Sequence, residues 1–212
     1  MKLALGMRDI TEDKLQFAKQ IGVTHLIVVS PNAAVEGPFY DYERLVQLRS
    51  RVEAAGLELG GIQNIPTAWY DRIRYGLPGR DEQLDNYCRT IQNVGRAGIP
   101  ILHYNFHAVK VWRTSRHARG RGGALFTSYD HALMENAPSV GAKPLGEDEL
   151  WGHFEYFVKR IMPVAESAGV KMALHPDAPP ISPIAGSACL FRSVEAFQRV
   201  IDMVPSPSNG LQ

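Results

Sequence analysis

The sequence has 212 residues, of which 45% are hydrophobic and 21% charged, as in a soluble globular protein with one substantial or two small domains. A net charge of +1 gives no overall field that would favour nucleic acid or membrane partners. Two cysteines, Cys88 and Cys189, are too few for a disulfide framework, no apolar run is long enough to span a bilayer, and residues 1–6 resemble a strand rather than a signal peptide. A cytoplasmic protein is therefore expected.

The chain repeats one arrangement, in which an amphipathic helix ends at a glycine and an apolar strand follows. Gly22, Gly56, Gly98 and Gly169 stand where the end of a helix favours a left-handed residue. Short apolar runs after them have the composition of strands covered on both faces. The predicted strands are residues 3–7, 23–29, 57–65, 99–106 and 170–175, with the beginning of a sixth at 210–212.

Apolar residues at spacings of three and four predict five helices that pack on these strands. Ser193 is the expected N-cap of the last helix, and Pro163 is expected to kink the fourth. The stripes consist of Leu15, Ala18 and Ile21; Leu45, Leu48, Val52 and Ala55; Leu84, Cys88, Ile91 and Val94; Leu150, Phe154, Phe157, Ile161 and Ala165; and Val194, Phe197, Val200, Ile201 and Val204.

The alternation of strands and helices predicts an α/β fold with a parallel sheet and right-handed crossovers. Such a sheet is either open and doubly wound or closed into a (β/α)8 TIM barrel. No GxGxxG or GxxxxGK[ST] motif follows a strand, which weakens the nucleotide-binding interpretations. Polar residues at several strand ends, such as 63–64, 104–105 and 175–177, favour the barrel.

A barrel has eight strands and about 250 residues, whereas this chain has only five to six βα units. We therefore expect residues 1–212 to be a single barrel domain, incomplete at its C-terminus, from the N-terminal portion of a longer chain. An incomplete parallel sheet exposes an unpaired edge and an uncovered face, which promotes association. A homo-oligomer is expected for this reason.

Residues 107–144 interrupt the alternation with a long loop or flap. It contains Lys110, Arg113, Arg116, Arg119 and Arg121, followed by a glycine-rich stretch at 120–123. One interpretation is a solvated excursion or a subunit contact. Another is a flap whose arginines hold an anionic substrate, because guanidinium matches carboxylate. RNA binding is a weaker third alternative, since aromatic residues are sparse among the basic ones.

The strongest local signal is the short strand at 172–174, which prolines end and which delivers His175 and Asp177 at its tip. Parallel α/β folds place their chemistry on such loops. The alternative is a buried histidine paired with a backbone carbonyl and an aspartate that shapes a turn. His107, at the tip of the preceding strand, is a candidate for contacting substrate or a residue that binds it.

Several runs resemble the mannonate dehydratase family. The most specific are Leu-His-Pro-Asp-Ala-Pro-Pro-Ile-Ser-Pro-Ile at 174–184 and Val-Pro-Ser-Pro-Ser-Asn-Gly-Leu at 204–211. Tyr-Asn-Phe at 104–106, Trp-Arg-Thr at 112–114 and Gly-Leu-Pro-Gly-Arg-Asp at 76–81 are similar to earlier motifs of that family. The similarity extends over nearly the whole chain.

The resemblance implies a xylose-isomerase-like TIM barrel that is a hydro-lyase of hexuronate catabolism. The implied reaction removes water from D-mannonate to give 2-keto-3-deoxy-D-gluconate with a divalent metal, Mn²⁺ or Fe²⁺. It places His175 on a metal ligand and Asn105, Arg113 and Asp177 on substrate-pocket positions, with the acid/base pair beyond Gln212. Val111, where many members have Asp, and a more basic 113–123 stretch depart from the family pattern.

Two alternatives to a sugar-acid dehydratase remain. One is a sugar isomerase or epimerase on the same barrel, because the fold does not fix the reaction. The other is a non-catalytic, truncated relative that associates with a partner. A single histidine is not a metal site, so the 212 residues alone are expected to be inactive and to bind metal weakly or not at all.

Overall fold

Six parallel strands form the centre of the fold. The structure, a computed structural model, describes residues 2–31, 37–109, 113–139 and 141–212. The strands are β1 (Ala4–Met7), β2 (His25–Val29), β3 (Glu58–Gln63), β4 (Ile101–Tyr104), β7 (Lys171–Leu174) and β8 (Asn209–Leu211). They pair in the order β1-β2-β3-β4-β7-β8. β1 and β8 are the two edges, so the residues described here form an open part of a barrel rather than a closed one.

Helices connect successive strands and cover one face of the sheet. They are α1 (Glu12–Gln20), α2 (Tyr42–Ala54), α3 (Asp71–Tyr75), α4 (Arg80–Arg96), α5 (Glu147–Ala168) and α6 (Val194–Met203). The five predicted stripes fall in α1, α2, α4, α5 and α6 or at their C-caps, which confirms those helices. Ile21 and Val194 are exposed rather than packed on the strands, because they lie at a helix end and at a helix start. Ser193 caps α6 as expected, because its hydroxyl accepts a hydrogen bond from the backbone N–H of Ala196 at 3.3 Å.

The main core lies between the sheet and α4 and α5. Burial alternates along β4, so that Leu102 and Tyr104, and then Phe106, point to the helices. Phe157 of α5 is fully buried there, with its ring centroid 5.1 Å from Phe106 and 4.9 Å from Tyr87. The intervening residues of β4 face the opposite side of the sheet. Asn105 and His107 continue that second series beyond the strand end.

The predicted strands agree with those of the parallel sheet, and each strand of that sheet lies within or close to its predicted range. The four glycines expected after helices all have positive φ, from +83° at Gly22 to +68° at Gly169. α5 continues through Pro163 to Ala168 as one helix. The short helix α3 was not predicted, because five residues are too few to show a 3.6-residue period.

The segment 107–144 is not wholly irregular. It contains an antiparallel hairpin of β5 (Ser115–Arg119) and β6 (Leu125–Ser128), which the sequence did not predict. Neither strand contains a buried residue, so the sequence lacks the apolar alternation of a half-buried strand, and the turn contains Gly122 and Gly123, at φ +68° and +78°. Lys110, Val111 and Trp112 lie outside the described residues, so the departure at Val111 and the beginning of the Trp-Arg-Thr motif have no structural account.

Across the described ranges, every helix is too short or too polar to cross a bilayer.

Gly95 shows how closely α4 and α5 approach each other. A Cβ added there would lie 2.3 Å from the carbonyl oxygen of Ala168 and 3.0 Å from its Cβ. Glycine-to-alanine changes in exposed helix interiors stabilise by about 1 kcal/mol, and Gly152 of α5 has no atom within 4 Å of such a Cβ. Gly95→Ala is therefore expected to destabilise the fold by about 2 kcal/mol through overpacking, whereas Gly152→Ala stabilises it. Urea denaturation of both variants measures this, and equal stability would contradict the described packing.

Candidate active site

The carboxyl ends of β4 and β7 place His175 at the rim of the sheet. Its backbone N–H donates to the carbonyl oxygen of Tyr104 at 2.8 Å, which extends the pairing of the two strands by one residue. The side chain is half-buried, and Nδ1 lies 2.6 Å from the carbonyl oxygen of Pro176. No described residue forms a hydrogen bond with Nε2. The sequence analysis gave, as the alternative to a functional histidine, a histidine paired with a backbone carbonyl. That contact is present, and it leaves the second ring nitrogen available.

Asp177 joins the loop after β7 to two other segments. Its side chain is 4% exposed, and one carboxylate oxygen accepts the backbone N–H of Phe191 at 2.8 Å. The Asp177 N–H in turn donates to the Phe191 carbonyl oxygen at 2.8 Å. The other carboxylate oxygen accepts a hydrogen bond from Nδ1 of His107. Both oxygens are thus engaged by the protein, while the prediction that Asp177 contacts substrate stays a prediction.

His107 brings the end of β4 into contact with this loop. Its imidazole is 11% exposed and meets the His175 ring edge to face, with centroids 6.0 Å apart. Helix α3 holds the His107 backbone, because the Arg74 guanidinium donates a hydrogen bond to the His107 carbonyl oxygen. The Tyr75 hydroxyl donates to the carbonyl oxygen of Ala108 at 2.6 Å. The predicted site residues His107, Asp177 and His175 therefore form one contiguous group.

Asn105 belongs to a separate network at the neighbouring strand ends. Its Oδ1 accepts the Tyr70 hydroxyl at 2.7 Å, and its Nδ2 donates to Oδ1 of Asn64 at 3.1 Å. Burial raises the pKa of Tyr70 to about 12, so its hydroxyl keeps the proton that it donates. Asn64 has φ +68° and directly follows β3. The network fixes the amide of Asn105 at the mouth of the sheet.

Arg113 connects the hairpin to the loop that carries His175. Its Nη1 donates to the carbonyl oxygen of Ala178 at 3.3 Å, and its Nε donates to the Thr127 hydroxyl at 3.0 Å. Arg113 is half-buried, whereas Arg116, Arg119 and Arg121 of the hairpin are exposed. The structure thus places Arg113 beside the site, and the use of the flap for binding an anion stays a prediction.

Three residues that support the site were not predicted: Asn64, Tyr70 and Arg74. Arg74 is buried, and its guanidinium carbon lies 4.8 Å from the centroid of the Tyr70 ring, within range of a cation–π interaction. Its location on the five-residue α3 gave no periodic signal. The polar pair 63–64 at the end of β3 was the only sequence feature that pointed to Asn64.

His175 is the predicted metal ligand. No group of three or more His, Cys, Asp or Glu side chains that could hold a metal occurs among the residues for which the structure gives positions. Histidines that bind metal usually donate their second ring N–H to a carbonyl or carboxylate, and the Nδ1 contact with Pro176 has this form. His175 fits one ligand position, and the described residues alone do not complete the set.

Comparison with known proteins identifies the family. The family model described as D-mannonate dehydratase (UxuA) matches residues 5–141 and 140–212. The chain belongs to the D-mannonate dehydratase family. A mannonate dehydratase of Streptococcus equi subsp. zooepidemicus is 36% identical over 200 residues, which cover 82% of this chain and 54% of the relative. The chain therefore spans about half the length of this curated relative.

Solved structures of the D-mannonate dehydratase family and of more distant proteins confirm the barrel fold. The crystal structure of mannonate dehydratase from Streptococcus suis serotype 2 superimposes with a TM-score of 0.85 at 32% identity, covering 100% of this chain and 62% of that one. A xylose isomerase-like TIM barrel protein from Mycobacterium smegmatis has a TM-score of 0.56 at 14% identity, covering 100% of this chain and 63% of that one. The second likeness shows the fold alone.

Proposed function

We propose that this chain serves the metal-dependent dehydration of D-mannonate to 2-keto-3-deoxy-D-gluconate and water. The observation that carries the proposal is His175, whose ring stands at the carboxyl end of β7 with Nδ1 occupied and Nε2 available. Membership of the D-mannonate dehydratase family gives the substrate and the reaction class. Because the chain spans only part of its relatives, the activity is proposed for the complete barrel.

The proposed cofactor is Mn²⁺ or Fe²⁺, for which imidazole is a suitable ligand together with oxygen donors. His175 would contribute Nε2, and the Pro176 carbonyl fixes the ring for this task. The other ligands are expected from substrate, water and the part of the relatives that has no counterpart in this chain. A bound divalent cation supplies Lewis-acid stabilisation of the negative charge that develops next to the substrate carboxylate.

Asn105 and Arg113 are proposed to bind the sugar acid. The Asn105 amide, held by Tyr70 and Asn64, is oriented to form hydrogen bonds with a hydroxyl group. Arg113 is proposed to contact the substrate carboxylate, which guanidinium recognises well. We also propose a cytoplasmic homo-oligomer that binds no nucleic acid and no membrane, in keeping with the near-zero net charge.

A chimera tests the proposal. Residues 1–212 replace the matching portion of the Streptococcus suis enzyme, so that the rest of the barrel is supplied by a 32% identical relative. The chimera is expected to consume D-mannonate and release a 2-keto acid in the presence of Mn²⁺ and to stop when a chelator removes the metal. Circular dichroism and gel filtration establish that it folds.

Three outcomes would contradict the proposal. A folded chimera that leaves D-mannonate unchanged would remove the dehydratase assignment. Interconversion of a keto-sugar without loss of water would favour an isomerase or epimerase. Turnover that survives complete removal of metal would exclude the proposed cofactor. If the chimera does not fold, mixing the 212-residue chain with the separately produced C-terminal portion of the relative provides a second assembly for the same assay.

A further inference from the structure

We infer that Asp177 is a positioning residue, which fixes the His107 imidazole so that His107 presents Nε2 to an oxygen atom of the substrate beside His175. The inference rests on the proposed function of this site and adds the roles of two residues to it. It differs from the family resemblance, which places Asp177 only on a pocket position. The inference depends on three features: the anchoring of the carboxylate, the anchoring of the His107 backbone and the matching arrangement of the two imidazoles.

The Asp177 carboxylate is held rigidly. Its side chain is 4% exposed, and one oxygen accepts the Phe191 N–H at 2.8 Å while the other accepts Nδ1 of His107. The paired backbone contact from Asp177 N–H to the Phe191 carbonyl oxygen, also 2.8 Å, prevents the residue from turning away. A carboxylate that is ionised only accepts hydrogen bonds, and we assign the hydrogen of this contact to Nδ1 of His107. The burial of this carboxylate leaves substrate little access to it.

The His107 backbone is fixed independently of Asp177. The buried Arg74 donates to the His107 carbonyl oxygen, and the Tyr75 hydroxyl donates to the next carbonyl, that of Ala108, at 2.6 Å. With the main chain held in this way, the direction of the ring depends on its own torsions and on the Asp177 contact. No described residue forms a hydrogen bond with Nε2 of His107, so this is the ring atom left for a ligand.

His107 and His175 share one arrangement. Each ring has Nδ1 bound to an oxygen acceptor, the Asp177 carboxylate for His107 and the Pro176 carbonyl for His175, and each leaves Nε2 without a protein partner among the described residues. Their centroids are 6.0 Å apart at an interplanar angle of 80°. With Nε2 of His175 proposed to hold the metal, Nε2 of His107 is the neighbouring ring atom that a substrate oxygen can reach.

Asp177→Asn separates this role from a general structural one. Asparagine has one accepting oxygen and one NH₂ group, and the Phe191 N–H requires the oxygen. The NH₂ group then faces His107, so that Nδ1 must accept a hydrogen bond and the hydrogen moves to Nε2. In the serine-protease triad, the corresponding change keeps the geometry but leaves the histidine in the wrong tautomer and lowers kcat by about 10⁴-fold.

Nitrogen NMR of the 15N-histidine-labelled 212-residue chain measures the tautomer directly. His107 is expected to carry hydrogen on Nδ1 in the wild type and to lose it in Asp177→Asn, while exposed Asp85→Asn leaves every histidine signal unchanged. His107→Gln assigns the signal. A wild-type His107 with bare Nδ1 overturns the inference even if Asp177→Asn does not fold, and so does an unchanged tautomer in that variant.

Kinetics in the chimera provide the second readout. Asp177→Asn is expected to lower kcat at least about 100-fold and to change KM by less than about threefold, while Asp85→Asn has no effect. In the His107→Gln background, Asp177→Asn is expected to add less than about a threefold loss, because the two residues act as a unit. A full additional loss in that background would show that Asp177 acts on substrate directly. If the wild-type chimera has no dehydratase activity, the proposed function fails, and the NMR result still decides the tautomer claim.

Discussion

His175→Ala is expected to abolish metal-dependent turnover in the chimera and to weaken Mn²⁺ binding at least about 100-fold. Mutating a residue that forms a hydrogen bond with a metal ligand typically lowers the affinity for the metal by about 10- to 100-fold. Removing the ligand itself is expected to lower it further. His175 is the proposed metal ligand, and its Nε2, at the rim of the sheet, forms no hydrogen bond with the residues that the structure describes. The measurement is a Mn²⁺ titration followed by the signal of free metal, with turnover assayed in parallel.

His131→Ala is the matched control, because His131 is exposed and its ring contacts only Tyr129 among the described residues. This variant is expected to bind Mn²⁺ and to turn over substrate as the wild type does. Equal Mn²⁺ affinity in His175→Ala and His131→Ala would show that the metal is held elsewhere. Both variants should unfold at about the wild-type temperature, since half-buried His175 makes one side-chain hydrogen bond.

Phe157→Ala is expected to have the largest effect on stability, about 3–5 kcal/mol. The ring projects from α5 and is fully buried against α4 and the end of β4, with its centroid 4.9 Å from Tyr87 and 5.1 Å from Phe106. Removal leaves a cavity that these aromatic neighbours fill poorly. Since single domains are stable by only about 5–15 kcal/mol, urea denaturation should show a chain close to half-unfolded or a greatly lowered midpoint.

Phe17→Ala is the control for that truncation, because Phe17 of α1 is 55% exposed and should lose less than about 1 kcal/mol. The Phe157 result also bears on the site. Phe106 lies between Asn105 and His107, so a loosened contact with Phe157 is expected to disorder both polar residues. A loss below 1 kcal/mol for Phe157→Ala would mean that the core does not depend on the packing of α5 against β4.

The strands and the long helices could be predicted because their signals are local. An apolar run after a helix-ending glycine determines where a strand begins, and a stripe at three- and four-residue spacing determines which face of a helix is buried. The position of His175 at a strand end could be predicted for the same reason, because the proline that follows the short apolar strand marks where that strand stops. These are features of neighbouring residues, which the sequence shows directly.

The contacts within the site could not be predicted in this way. His107 and Asp177 are 70 residues apart, and Asn64 and Asn105 are 41 apart, so their pairing depends on the sheet order that brings β3, β4 and β7 together. Arg74 was missed because α3 is too short for a period. The hairpin of β5 and β6 was not predicted, because neither strand shows an alternation of apolar and polar residues. Its turn is formed at two glycines.

Anomalous diffraction from crystals of the chimera grown with Mn²⁺ and D-mannonate tests the central claim most directly. We expect a strong manganese peak at bonding distance from Nε2 of His175, with the substrate carboxylate beside it. A peak that lies away from the end of β7, or a His175 ring turned from the metal in the loaded protein, would contradict it.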